Sequence, residues 1–204
     1  MALLSYALCS VSDVRDTPGV PSSISDAYII RKINQATEMI ERYCDRRFKM
    51  TDYVDEPHDG SLTDELVLMQ RPVDTTQTFT LKSRSSVINN PNTNTIDAEN
   101  YFVNSEAGTV GAVSSFYGHF DRWLVTYSAG YSTIPSDLAE ACATLAAYLC
   151  VNPLNPGQQV QSKQEGSRKV QYQSNSAVSS DLLEQLGIYA IIDPYANTVL
   201  SGNR

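Results

Sequence analysis

Side chains able to do chemistry cluster in few places along this chain. Asp52, Asp55, Glu56 and Asp59 gather just before Gly60. Carboxylates this dense attract cations, but a calcium loop needs ligands at alternating positions, and that alternation is missing. A solvated loop is the expectation there. Gly166-Ser167-Arg168-Lys169 is basic and begins with a glycine. A phosphate cradle would need a strand immediately before it, and none is read there. Arg42, Arg46, Arg47 and Lys49 form the third cluster. Cations there suit the negative end of a helix dipole and a solvated face. They also suit a contact with an acidic partner, and both readings stay open.

The remaining candidates do not combine into a reacting centre. His58 and His119 are the only histidines and stand far apart in sequence. Cys9, Cys44, Cys142 and Cys150 show no C-x-x-C pair, and none has finger-like spacing to a histidine. Zinc and a disulfide framework are both unexpected on that pattern. Buried free thiols are the simpler reading, two of them on helix faces otherwise filled by small or apolar residues. There is no G-x-S-x-G elbow, no Walker loop and no G-x-G-x-x-G. The sequence thus predicts no enzyme, no cofactor and no metal.

The elements around these residues are clearer than the chemistry. Trp123–Tyr127 alternates, with Trp123, Val125 and Tyr127 on one face, which predicts a strand. Gly130 follows as a turn residue free to take a positive φ. Pro135 fits a first helical turn. Leu138, Cys142, Leu145 and Leu149 then form one helical stripe, with alanines between them that let a neighbour approach closely. Upstream, Ser23 and Asp26 have the spacing of a capping box. A helix to about Phe48 is expected from there, because Ile29, Ile33, Ala36, Ile40 and Cys44 repeat at helical intervals.

Between these helices the period changes. Leu66–Met69, Thr76–Lys82, Tyr101–Asn104 and Arg122–Tyr127 read as short strands. His58–Ser61, Ser83–Ser86 and Asn89–Asn94 read as turns. After Asn152-Pro153 comes a polar stretch in which Lys169–Tyr172 alternates. A last helix, Asp181–Leu186, is expected from a Ser180 cap to Gly187. The tail is apolar at Ile188, Tyr189, Ile191, Ile192, Tyr195, Val199 and Leu200. It either folds back on its own helices or docks on a partner.

The expected fold is therefore α+β: an antiparallel helical bundle, a β-rich insert between the long N-terminal helix and the alanine-rich helix, and an extended C-terminal arm. The expected boundaries are 1–50 with 133–150 for the bundle, 51–132 for the insert, and 151–204 for the arm, short helix and tail.

Several phrases are similar to those of the head–tail connector (adaptor) proteins of tailed bacteriophages. Val125, Tyr127, Ala129, Gly130 and Tyr131 lead through Ile134, Pro135, Asp137 and Leu138 into Ala141, a strand, turn and alanine-rich helix of that family. Ile40-Glu41-Arg42-Tyr43-Cys44-Asp45-Arg46-Arg47-Phe48 resembles the end of its early helix. Leu66-Val67-Leu68 with Arg71-Pro72-Val73 resembles its first central strand and corner. Gly166, Val170 and Tyr172 resemble a later phrase. The resemblance implies a structural virion protein at the head–tail junction, forming a ring of about twelve copies on the portal protein. It also implies contacts with tail, stopper or other neck proteins, and DNA passing through the lumen without sequence-specific binding. Portal or subunit contacts are expected at Tyr172, Tyr189, Ile192, Tyr195, Leu200, Arg42, Arg46 and Arg47. A tail-completion protein, or a soluble bacterial binding module or enzyme, is the alternative.

Charge and length agree with that picture without requiring it. Net charge is −8, which disfavours a protein that grips nucleic acid by its phosphates. In a ring, lumen-facing carboxylates would instead repel the DNA backbone; ordinary solubility charge explains the value equally well. No apolar run reaches the ~20 residues that span a bilayer, so no membrane partner is expected. Met1–Tyr6 lacks the basic start of a signal peptide, which predicts assembly in the host cytoplasm.

Overall fold

In the computed structural model, the residues described are 2–60, 64–84, 93–112, 116, 122–152, 163–165, 168–170 and 178–197, with backbone alone for 163–165, 168–170 and 178–181. The chain divides into two compact units. The first comprises Met1–Asp45 and Ile134–Arg204, the second Arg46–Thr133.

In the first unit the helices are α1 (Val11–Asp16), α2 (Asp26–Cys44), α3 (Ser136–Val151), α4 (Val178–Gln185) and α5 (Tyr189–Ile192). Ser10 caps α1 through a reciprocal capping box with Asp13. That box has the spacing read upstream of α2, where Ser25 is the N-cap instead and makes no side-chain cap bond. The α2 stripe of Ile29, Ile33, Ala36, Ile40 and Cys44 is fully buried. It packs against α3, whose alanines 141, 143, 146 and 147 are buried along with its leucines. The helix α2 stops at Cys44, four residues short of the expectation, because Asp45 turns into the left-handed region at φ 52. The end of α4 is a Schellman turn. Gly187 (φ 70) donates to Glu184 O, and Ile188 N–H reaches back to Leu183 O. The helix α4 begins at Val178, so Ser180 lies inside it and is not its cap.

The second unit is built of strands β1 (Thr51–His58), β2 (Glu65–Val67), β3 (Thr80–Arg84), β4 (Thr93–Thr95), β5 (Tyr101–Asn104), β6 (Thr109–Ala112) and β7 (Trp123–Ala129). One antiparallel sheet has the order β1-β7-β3-β4 and a second the order β2-β6-β5. Inward side chains of both sheets, among them Leu66, Leu81, Val110, Val125 and Tyr127, make one core. In the first unit, β8 (Lys163–Glu165) pairs antiparallel with β9 (Arg168–Val170).

The expected antiparallel helical bundle is not what the chain forms. Among the described residues only three of the five α-helices reach seven residues, while seven strands build the two antiparallel sheets. The fold is β-rich. The reason lies in the relative strength of sequence signals. Two long apolar stripes dominate any helical reading, whereas strands of three to five residues show little period of their own.

Candidate assembly interface

The tail residues expected at an interface begin on α5, beside the C-terminal end of α2. Tyr189 sets its ring edge-on to Tyr43, with centroids 5.1 Å apart. The Tyr43 hydroxyl donates to Asp193 Oδ1 at 3.0 Å. Burial, then the bonds to Tyr189 and Asp193, push the Tyr43 hydroxyl well above the usual phenol range. Asn197 N–H donates to Cys44 O at 2.9 Å, satisfying one of the carbonyls that a helix end leaves without an intrahelical partner. Tyr195 Oη donates to Asp137 Oδ2 of α3 at 2.8 Å.

Of the two alternatives open for the tail, residues 188–197 take the first and fold back. Ile192 has no exposed surface, and Ile188 is almost as enclosed. Tyr189 is 40% exposed. Tyr172 and Leu200 lie outside the described residues, as does His119.

The arginines part company. Arg42 is exposed in the last turn of α2. Arg46 lies past the helix end and is 5% exposed; its guanidinium donates to the Arg71 carbonyl and lies over the rings of Phe48 and Tyr131. Arg47 is half-buried, and its backbone N–H donates to Gln70 Oε1 at 2.9 Å.

Of the acidic cluster read as a solvated loop, Asp52, Asp55 and Glu56 lie in strand β1, and Asp59 follows its end. Tyr53 pairs with Tyr127 and Glu56 with Val125, so β1 holds one more residue than β7 across that interval. The extra residue is a bulge, with Asp55 at φ 53. It shifts the alternation by one and turns Glu56 and His58 inward. Glu56 Oε1 accepts from His58 Nε2 at 2.7 Å and from Met69 N–H at 3.2 Å. Its Oε2 accepts from Tyr127 Oη at 2.8 Å. Burial opposes the charge on Glu56, but the bonds from His58, Tyr127 and Met69 outweigh it and hold the carboxyl below the usual range. Burial and the Glu56 charge together push the Tyr127 hydroxyl up.

Asp55 stays outside, bonded to Lys82 at 2.9 Å, which holds its carboxyl down. Held by these donors, Glu56 and Asp55 tie β1 to its neighbours. Among the described residues, no group of three or more histidine, cysteine or carboxylate side chains could hold a metal ion. The sequence signal for Glu56 and His58 was their spacing of two, visible only once the bulge is known.

A family model described as head completion protein matches residues 7–192. The chain belongs to the head completion protein family. Its role is the structural one of a head–tail connector. Among solved structures, a chain in the neck of an empty GTA particle computed with C6 symmetry aligns with a TM-score of 0.60 and 15% identity, over 100% of this chain and 97% of that one. A chain from the virion of a native gene transfer agent (GTA) particle gives 0.58 and 16% identity, over 99% and 95%. A chain in the neck of the native GTA particle computed with C12 symmetry gives 0.53 and 16%, over 100% and 96%. At these identities the likeness is one of fold. No curated protein matches this head completion protein.

Proposed function

We propose that this head completion protein assembles as a ring on the portal and carries the DNA channel on toward the tail. The family match over residues 7–192 is the main support, since it takes in most of both units. Two of the structural neighbours come from necks, one of them computed with C12 symmetry. A ring of about twelve identical copies is the corresponding stoichiometry here. Each copy adds one weak contact to the portal, and simultaneous contacts multiply into a tight joint.

The net charge of −8 suits a passage better than a grip, because a wall of repeated carboxylates repels phosphates. Tail, stopper or other neck proteins are the partners on the far side, and assembly takes place in the host cytoplasm. Catalysis has no part in this reading. Of the residues expected to touch partners, exposed Arg42 and Tyr189 are accessible. Ile192 and Arg46 are buried within their own units. Tyr172 and Leu200 remain part of the proposal on sequence grounds.

Electron microscopy of the protein mixed with its portal tests the reading. A ring coaxial with the portal is the expected image. Portals left bare at every concentration would overturn it, and attachment to tails alone would favour the tail-completion alternative. Arg42→Glu with Tyr189→Ser should weaken attachment in a folded protein; unchanged attachment would remove those residues from the interface.

A further inference from the structure

All four cysteines are free thiols and all are buried, yet their surroundings differ. Cys44 Sγ meets the Ile192 carbonyl at 3.6 Å. Cys150 lies within the field of Lys32 and Arg15. Cys9 Sγ instead lies 3.4 Å from Cys142 Sγ, a partner 133 residues away in sequence. Thr37 Oγ1 of α2 lies 3.6 Å from Cys142 Sγ and accepts Leu8 N–H at 3.3 Å. The segment before α1, the middle of α2 and the middle of α3 therefore converge on one sulfur pair.

A disulfide bond is about 2.05 Å long, so the two sulfurs stand roughly 1.4 Å from bonding distance. Cys142 is fixed inside α3, whereas Cys9 sits in a bend ahead of α1. The closing movement thus falls to Cys9. Cys9 is also the more accessible of the two, at 7% exposure against 0% for Cys142.

We propose that Cys9 and Cys142 are an oxidisable dithiol that hydrogen peroxide converts to a disulfide within one folded subunit, tying the N-terminal segment to α3. The Cys9 thiolate attacks one peroxide oxygen, giving a sulfenic acid and releasing hydroxide, which takes up a proton as water. The Cys142 thiolate then attacks the Cys9 sulfur and displaces a second hydroxide. Two thiols and one peroxide become one disulfide and two waters, with two electrons passing to the peroxide. The Cys142 contact and burial hold the Cys9 thiol protonated, so the first step is slow beside that of an exposed thiolate. In a virion protein leaving a reducing cell for aerated medium, the bond would form after assembly; that timing rests on the function proposed above, whereas the bond itself does not.

The full-length protein treated with hydrogen peroxide, alkylated under denaturing conditions, digested and weighed by mass spectrometry provides the test. The expected product is a Cys9 peptide linked to a Cys142 peptide, two hydrogens lighter than the separate pair and parted by dithiothreitol. Cys44 and Cys150 should both be alkylated. In Cys142→Ala the link should vanish and Cys9 should accumulate as a sulfenic acid trapped by dimedone. Cys9→Ser, with circular dichroism to confirm folding, should lose the link in the same way. Four alkylated thiols after prolonged treatment, a Cys9 sulfonic acid beside an intact Cys142, or a link between subunits on a non-reducing gel would each overturn the proposal. A linked protein that never binds portals would sink the ring and leave the dithiol standing.

Discussion

Tyr127 on β7 donates its phenol hydrogen to Glu56 Oε2 on β1 across 2.8 Å, inside the second unit. The carboxylate sits where the two sheets share their core, and its oxygens accept from three separate stretches of chain. Losing it would take this acceptor from the buried His58 ring and the buried Tyr127 hydroxyl. Glu56→Gln keeps the shape but turns one acceptor oxygen into an NH2 donor, so the bonds on that side are lost and those on the other lose their charge assistance. About 1–3 kcal/mol of destabilisation is expected, measured by urea unfolding.

Acid should act through the same group. Because the folded carboxyl titrates below the unfolded one, Glu56 contributes its full stability above the unfolded value, close to pH 4.5. That contribution drains away as pH falls through the lower, folded value. Asp55 and Asp74 are shifted in the same direction by Lys82 and by Thr76. Thermal unfolding should therefore be flat from pH 8 to about 5 and fall below it. Glu56→Gln should show a shallower acid limb than the unaltered protein.

Gly130→Ala should be severe. Its φ is 111, and a Cβ there would lie 2.8 Å from the backbone carbonyl of Phe48 and from Lys49. Main-chain atoms cannot swing aside as a side chain can. A loss of about 2–4 kcal/mol follows from the left-handed strain and the collision together, again read by urea unfolding.

Ile192→Ala and Tyr189→Ala should separate folding from contact. Ile192 is enclosed, so truncation leaves a cavity costing about 2–5 kcal/mol. Tyr189 is partly open, and its removal should cost about 1 kcal/mol or less from the lost ring contact with Tyr43. Comparable losses at both positions would show that α5 is equally enclosed around its circumference.

Helices were legible because long apolar repeats are insensitive to the rest of the chain: the α2 and α3 stripes are buried as their spacing predicts. Their ends were less so. Arg46 and Arg47 are good helix formers, and nothing in their types announces that Asp45 will turn left-handed. Strand β5 lies where its aromatic and β-branched residues placed it, at Tyr101–Asn104. Strand β1 was lost because a bulged residue breaks the period of two on which strand reading depends. Glu56 went with it, since four acidic residues in eight look solvated until two of them are known to face opposite ways. The helical bundle was overestimated for the converse reason, that β-pairing is a relation between distant segments and leaves little mark on either alone. For the interface, sequence supplied residue types, but burial alone divides Ile192 and Arg46 from Tyr189 and Arg42.

The parallel bridge Lys49↔Tyr131, with Tyr131 N–H donating to Phe48 O and Met50 N–H to Tyr131 O, clips the entry and exit of the second unit side by side. A segment whose two ends already meet behaves like a bead on a loop of string. Recombination between relatives can lengthen, shorten or replace what hangs beyond that clip while the segments that precede and follow it keep their own sequence. Diversity among related particles is accordingly expected to concentrate there.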